Sequence, residues 1–153
     1  MIKKILQKVF KKIFYKIYII IYGKIEGSIK TGEDDRIKVQ IFNIEKNLKY
    51  KIYSITNGRL YTDRIHDTAV ILDNNIVEEA SFQLRNNHDG ELYNSKIVDN
   101  IVFKKGTPRR LRNLSGSVLS LVTGGGGNHN YWHWLFDVLP RLSLCSKILK
   151  LNE

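Results

Sequence analysis

The first twenty-two residues, MIKKILQKVFKKIFYKIYIIIY, place apolar side chains at helical spacing. Ile2, Ile5, Leu6, Val9, Ile13, Phe14 and Ile17 follow the i, i+3, i+4 period, while Lys4, Lys8, Lys11 and Lys12 fall mostly toward the other side. A basic amphipathic helix is predicted over 1–23. Residues 26–38 (EGSIKTGEDDRIK) are weakly hydrophobic and mixed in charge, so 24–38 reads as a linker. Beyond it come short β-type runs broken by turn residues. Runs 50–55 and 59–65 flank Thr56-Asn57-Gly58, and Asn-Gly is a strong hairpin signal. Runs 69–72 and 76–77 flank Asp73-Asn74-Asn75, and runs 97–98 and 101–103 flank Asp99-Asn100. This region is expected to be a series of hairpins. Residues 117–123 (SVLSLVT) read as a buried strand. Four glycines, 124–127, follow, and from Asn130 the period is helical again. Tyr131, Trp134, Leu135, Val138 and Leu142 share one face and are expected to face a core. Asn130 suits the N-cap. Pro140 should kink or end the first helical segment, because it lacks an N–H and crowds the preceding turn.

The predicted class is therefore α/β: an amphipathic helix, a β-hairpin region, then the opening strand, glycine loop and helix of an α/β layer over the rest of 39–153. Composition is that of a folded protein, and 153 residues suffice for one modest core. The single Cys145 excludes an internal disulfide and fits a reducing compartment.

The net charge of +10 is concentrated. Residues 1–24 hold seven lysines and no acid; the remaining 129 hold 18 basic and 15 acidic side chains. A body so nearly balanced argues against nucleic acid as a partner. The N-terminal helix instead suits an anionic membrane surface, with Lys4, Lys8, Lys11 and Lys12 near headgroups and the apolar face in the acyl boundary. Its apolar run is too short to span, and lysines interrupt it where a signal peptide would be apolar. The alternative is a surface helix packed on its own domain, with its lysines in water.

Candidate chemistry concentrates in the segment after the glycines. Asn130, His133, Asp137 and Arg141 are three, four and four residues apart and form one polar stripe. Either this stripe is a solvated edge, or it faces a cleft in which His133 transfers protons and Asp137 orients its imidazole. The glycines, Gly126 and Gly127 among them, would let backbone approach a substrate. His129 and His133 have zinc-helix spacing, but no Glu lies between them and no third ligand is evident, so no metal site is expected. The glycines match neither the dinucleotide fingerprint nor the phosphate-binding loop. Lys104, Lys105, Arg109, Arg110 and Arg112 form a second basic cluster, a solvated loop by default or a phosphate contact. His66 and His88 stand alone and read as surface or turn residues.

The stretch Asn130-Tyr131-Trp132-His133-Trp134-Leu135-Phe136-Asp137-Val138-Leu139-Pro140-Arg141-Leu142 resembles the hallmark segment of glycosyltransferase family 61. In that family Asn and two aromatics precede His-Trp-Leu, an acidic residue follows, and Leu-Pro-Arg-Leu closes the segment. The resemblance is dense over about thirteen positions; upstream it is much less specific. It implies a two-lobed, GT-B type, inverting transferase whose first Rossmann-like α/β lobe starts here, and which uses a nucleotide-sugar donor and no essential metal or other cofactor. Bacterial relatives are described as capsular polysaccharide or lipopolysaccharide biosynthesis proteins. Together with the lysine helix, this suggests a cytoplasmic enzyme peripheral to the inner face of the membrane, acting on a glycan or lipid-linked acceptor. Members of the family are longer, with their second lobe after this segment. The chain is accordingly expected to represent the N-terminal, acceptor-side portion, a truncated product or half of a split protein. Within it, His133 and Asp137 would be catalytic, and Asn130, Arg141, Gly126 and Gly127 would contact substrate.

Overall fold

The computed structural model describes residues 2–45, 48–63, 65–104, 111–121 and 131–148. Helix α1 (Ile2–Tyr22) is followed by strands β1 (Gly27–Ile29), β2 (Ile37–Glu45), β3 (Leu48–Ile55), β4 (Arg59–Thr62), β5 (Asp67–Leu72), β6 (Asn75–Val77), β7 (Phe82–Asn86) and β8 (Leu92–Asn94). Short helix α2 (Ile101–Lys104) closes this region. Later, α3 (Tyr131–His133), a π-helical turn (Trp134–Val138) and α4 (Leu139–Ile148) follow one another without a break. The protein is mixed α/β, with an N-terminal helix and curled sheets.

Strand β5 organises the body. Its sequence DTAVIL ends in a continuous apolar run, as a strand covered on both faces should, and every residue but Val70 is buried. Strand β4 takes one edge, from Thr62 opposite Thr68 to Arg59 opposite Ile71. The other edge is shared: β6 pairs with Ile71 and Leu72, β7 with Asp67 and Thr68. Between them the Ser81 hydroxyl takes the slot, accepting the Val70 N–H at 2.9 Å. One edge served by two strands and a side chain is what curls the sheet. β1 adds in parallel to β6, and β8 antiparallel to β7.

Alternation along β5 and β6 sends side chains to two cores. Ala69, Ile71 and Ile76 meet Ile25 and Val102 on one face, with Tyr61, Ile97, Ile101 and Phe103 packed around them. Leu72 and Val77 meet Ile37 on the other, flanked by Ile29, Ile55 and Val70.

Several expectations are corrected by this arrangement. The Asn57-Gly58 turn exists, with Asn57 in the left-handed region, but it does not close a hairpin. β3 pairs with β2 in a separate two-stranded sheet, and β4 pairs with β5. The turn residues fixed a reversal; the hydrophobic demands of β5 chose the partner. The Asp73-Asn74 hairpin joins β5 to β6 as expected. The segment read as a linker contains β1, held against β6 by backbone bonds. Residues around Asp99-Asn100 form a 3-10 turn (Ile97–Asp99) and α2 rather than strands. Polar side chains capture the backbone there: Asn100 Oδ1 accepts the Val102 N–H at 3.3 Å, and Asp67 Oδ1 accepts that of Ile101 at 2.9 Å.

The strand expected over 117–123 is absent from its described part. Residues 117–120 are exposed coil, and no described strand pairs with 117–121. An apolar run becomes a strand only when a neighbour takes its ladder.

Candidate functional site

The helical segment 131–148 carries the candidate site. Asn130, Gly126, Gly127 and the other glycines of the loop lie outside the described residues, as do His129, Lys105, Arg109 and Arg110. The Asn130 cap and the glycine-loop contacts therefore remain expectations. Within the segment the helix does not stop at Pro140 but passes through it to Ile148. The adjustment comes one turn earlier. Leu139 donates its N–H to the Trp134 carbonyl, five residues back, in a π turn. A proline at 140 supplies no N–H and would press its ring on the Phe136 carbonyl in a regular α-helix. Widening the preceding turn moves the ladder by one residue and relieves that clash.

Of the polar stripe, His133 and Asp137 are brought together. His133 Nδ1 lies 2.7 Å from Asp137 Oδ2, one turn on. Both side chains are about one-third exposed, 34% and 40%, so they are reachable from solvent while their mutual bond is kept. An ionised carboxylate can only accept, so with Asp137 ionised the bond selects the tautomer with its proton on Nδ1, and a neutral ring then keeps its lone pair on Nε2. Arg141 follows a turn later and is exposed; the Asp137 carboxylate takes the imidazole rather than the guanidinium. Chemically the pair is an oriented, solvent-reachable imidazole and carboxylate, with Arg141 farther along the same helix.

The opposite side of the helix corrects the sequence expectation. Of the presumed core face only Val138 is buried, joined by Cys145 two turns on. Tyr131 is 72% exposed and Trp134 49%, and Leu142 is exposed as well. Trp132 and Phe136 stack at 4.2 Å between ring centroids, in solvent. Helical period identified which residues share a face, but it carries no information on whether anything covers that face.

Sequence reasoning passed over a polar cluster at the edge of β5. A shallow cleft of about 500 Å³ is lined by Asp63, His66, Asp67, Arg85 and Asp99, among others. Its charged groups are engaged in holding the fold. Asp67 pairs with Arg85 at 2.9 Å, and Asp63 Oδ1 accepts the N–H groups of Ile65, His66 and Asp67 at 2.8–2.9 Å. Burial opposes ionisation of Asp63, but those backbone bonds outweigh it and hold its pKa below the ordinary value. The signal that could have located the cluster is the run Asp-Arg-Ile-His-Asp at 63–67, whose acids bracket a tight loop. His66 and His88 are exposed, as expected of surface or turn residues. Among the described residues no group of His, Cys, Asp and Glu is arranged to hold a metal.

No family model, curated protein or solved structure matches the chain significantly.

Proposed function

We propose that this chain is the acceptor-side, N-terminal portion of an inverting glycosyltransferase, moving a sugar from a nucleotide-sugar donor to a glycan or lipid-linked acceptor in surface polysaccharide biosynthesis. The observation that carries the reading is the 2.7 Å bond between His133 Nδ1 and Asp137 Oδ2, within a segment resembling the family 61 hallmark. In the proposed step His133 Nε2 takes the acceptor hydroxyl proton. The freed oxygen attacks the anomeric carbon, and the bond from that carbon to the nucleoside diphosphate breaks on the opposite face. Asp137 stabilises the imidazolium that results. Arg141 would offset negative charge on the leaving diphosphate. The glycine loop and Asn130 would border the substrate, and the whole would belong to a GT-B type Rossmann-like lobe.

The test is turnover of nucleotide sugars by the chain, alone and together with any second α/β lobe encoded beside it. His133→Ala should lower turnover roughly 10²- to 10⁴-fold, the usual contribution of a general base, with circular dichroism unchanged. Wild-type turnover in a folded His133→Ala protein, or no turnover in any combination, overturns the proposal. The rival reading is a non-catalytic membrane-surface module. It is favoured by one observation, the exposed apolar stripe of α1, and predicts lipid binding without turnover.

A further inference from the structure

The way α1 meets the body departs from the usual arrangement of a surface helix, which buries its apolar stripe and leaves its charges in water. Here Leu6, Val9, Ile13, Ile17 and Ile20 form the apolar stripe, and they are 37% to 82% exposed. Ile20 is the most exposed of the five although it lies in the last turns, where the helix touches the body. The body is met by the opposite side. Residues 4, 8, 11, 15, 18 and 22 alternate steps of four and three, which places them on one line down the helix. The line reads Lys, Lys, Lys, Tyr, Tyr, Tyr. Its tyrosine half is docked: Tyr18 is 7% exposed, and the Tyr15 hydroxyl donates to the Phe103 carbonyl at 3.4 Å.

The end of the helix is fixed as well. Arg59 donates to the Tyr22 carbonyl at 2.5 Å and to the Asp73 carbonyl at 2.7 Å. Gly23 ends the helix at φ +83, and a Cβ there would stand 2.6 Å from Asn74 Oδ1. The helix is thus clamped to the β5–β6 turn, with its apolar side turned away from the protein along its whole length.

We infer that α1 lies in the plane of an anionic lipid bilayer, its outward stripe in the acyl boundary, and that the Tyr15-Tyr18-Tyr22 line carries the body on the solvent side. This inference does not rest on the transferase reading. The helix is about 31 Å long at 1.5 Å per residue, enough for a firm in-plane contact. None of the described helices is long and apolar enough to cross a membrane. Charge selects lipid over a second copy of the chain. Residues 1–24 contain no acid, so two such stripes face to face would gather lysines with no counter-charge, whereas anionic headgroups supply it. The geometry also ranks the lysines. Lys3, Lys12 and Lys16 flank the apolar stripe and reach headgroup phosphates by snorkelling. Lys4 and Lys8 lie on the tyrosine line, a helix diameter farther from the lipid and near the limit of screening.

The experiment is co-sedimentation of the full chain with phosphatidylcholine vesicles, with and without 30% phosphatidylserine, near physiological salt, with helicity checked by circular dichroism. The wild-type chain should bind the anionic vesicles, bind neutral ones weakly, and be released by high salt. Val9→Glu/Ile13→Glu should weaken binding about 100-fold or more, from two lost apolar burials. Lys12→Gln/Lys16→Gln should weaken it roughly 25-fold, at about 1 kcal/mol per lysine, and Lys4→Gln/Lys8→Gln by clearly less. Equal binding to both vesicle types, or no binding, overturns the inference. So does a lipid-free dimer in sedimentation velocity that Val9→Glu/Ile13→Glu dissolves. Equal losses from the two lysine pairs overturn the orientation.

Discussion

The body around β5 and the helical segment 131–148 treat the same kinds of side chain in opposite ways. In the body, polar groups are buried and spoken for. Asn100 is fully buried, and its Nδ2 donates toward the Thr68 and Phe82 carbonyls and Gln83 Oε1 at 3.3–3.4 Å. Asp67 is 4% exposed and holds both Arg85 and the Ile101 N–H. In the helical segment the polar pair His133–Asp137 is a little over one-third exposed, and large aromatics are exposed beside it. Polar groups in the first region maintain shape, and their loss should appear as instability. Polar groups in the second are free to act on something else, and their loss should leave the fold alone. The difference between the regions is thus measurable as the ratio of stability lost to function lost.

The largest stability effect is expected at Asp67. Asp67→Ala removes the carboxylate partner of a guanidinium that is only 31% exposed, though its bonds to the Leu84 and Asp99 carbonyls remain, and it frees the N-terminal N–H of α2. Breaking a buried pair typically costs about 3–5 kcal/mol; partial exposure of Arg85 places this one near the lower end, about 3 kcal/mol. Urea denaturation followed by far-UV circular dichroism checks it. Next is Asn100→Ala. It leaves several buried partners unsatisfied, but the bonds are long, so about 2 kcal/mol is expected. A loss under about 0.5 kcal/mol in either variant would mean the body is not held by its polar network, and the contrast with the helix would fail.

A smaller effect is expected with acid. The pKa of Asp63 is depressed in the folded protein, so its contribution is present above the unfolded value and lost as pH falls through the folded one. Asp34 behaves alike: the Arg36 side chain and N–H bond its carboxylate and hold it down to about 2. The denaturation midpoint should therefore fall as pH drops below about 4, and Asp63→Asn should flatten that fall. An unchanged slope in Asp63→Asn would assign the acid sensitivity elsewhere.

What was legible in the sequence follows the same division. The helix period of residues 2–22 and of 131–142 was readable because it is local, and so was the i, i+4 relation that brings His133 to Asp137. The Asp73-Asn74 hairpin was readable because a turn and its two strands are contiguous. Pairing across distance was not. Nothing local states that β3 turns to β2 rather than β4, or that β6 and β7 divide one edge of β5. Nor does amphipathicity state what covers an apolar face: Tyr131 and Trp134 share a stripe with buried Val138 and are themselves exposed. The tyrosine line of α1 was overlooked for a related reason. Tyrosine counts as apolar in a simple pattern, yet here it is the side that meets the protein.

The smallest stability effect should come from the residues with the largest proposed role. His133 and Asp137 form an i, i+4 pair on a solvent-reachable helix face, and such pairs stabilise helices by about 0.3–0.5 kcal/mol. His133→Ala removes that bond and leaves Asp137, 40% exposed, free to be hydrated. Asp137→Asn keeps a group of the same size but removes the carboxylate's charge. Neither change opens a cavity or strands a buried group, so both should leave the urea midpoint within about 0.5 kcal/mol of wild type. The contact itself is checked in Asp137→Asn by the His133 ring tautomer, read from imidazole nitrogen shifts: the carboxylate favours a proton on Nδ1, and an amide in its place weakens that bias. A tautomer balance unmoved by Asp137→Asn would show that the 2.7 Å contact does not orient the ring. A stability loss of several kcal/mol in His133→Ala would place the pair with the structural polar groups of the body, and the distinction between the two regions would disappear.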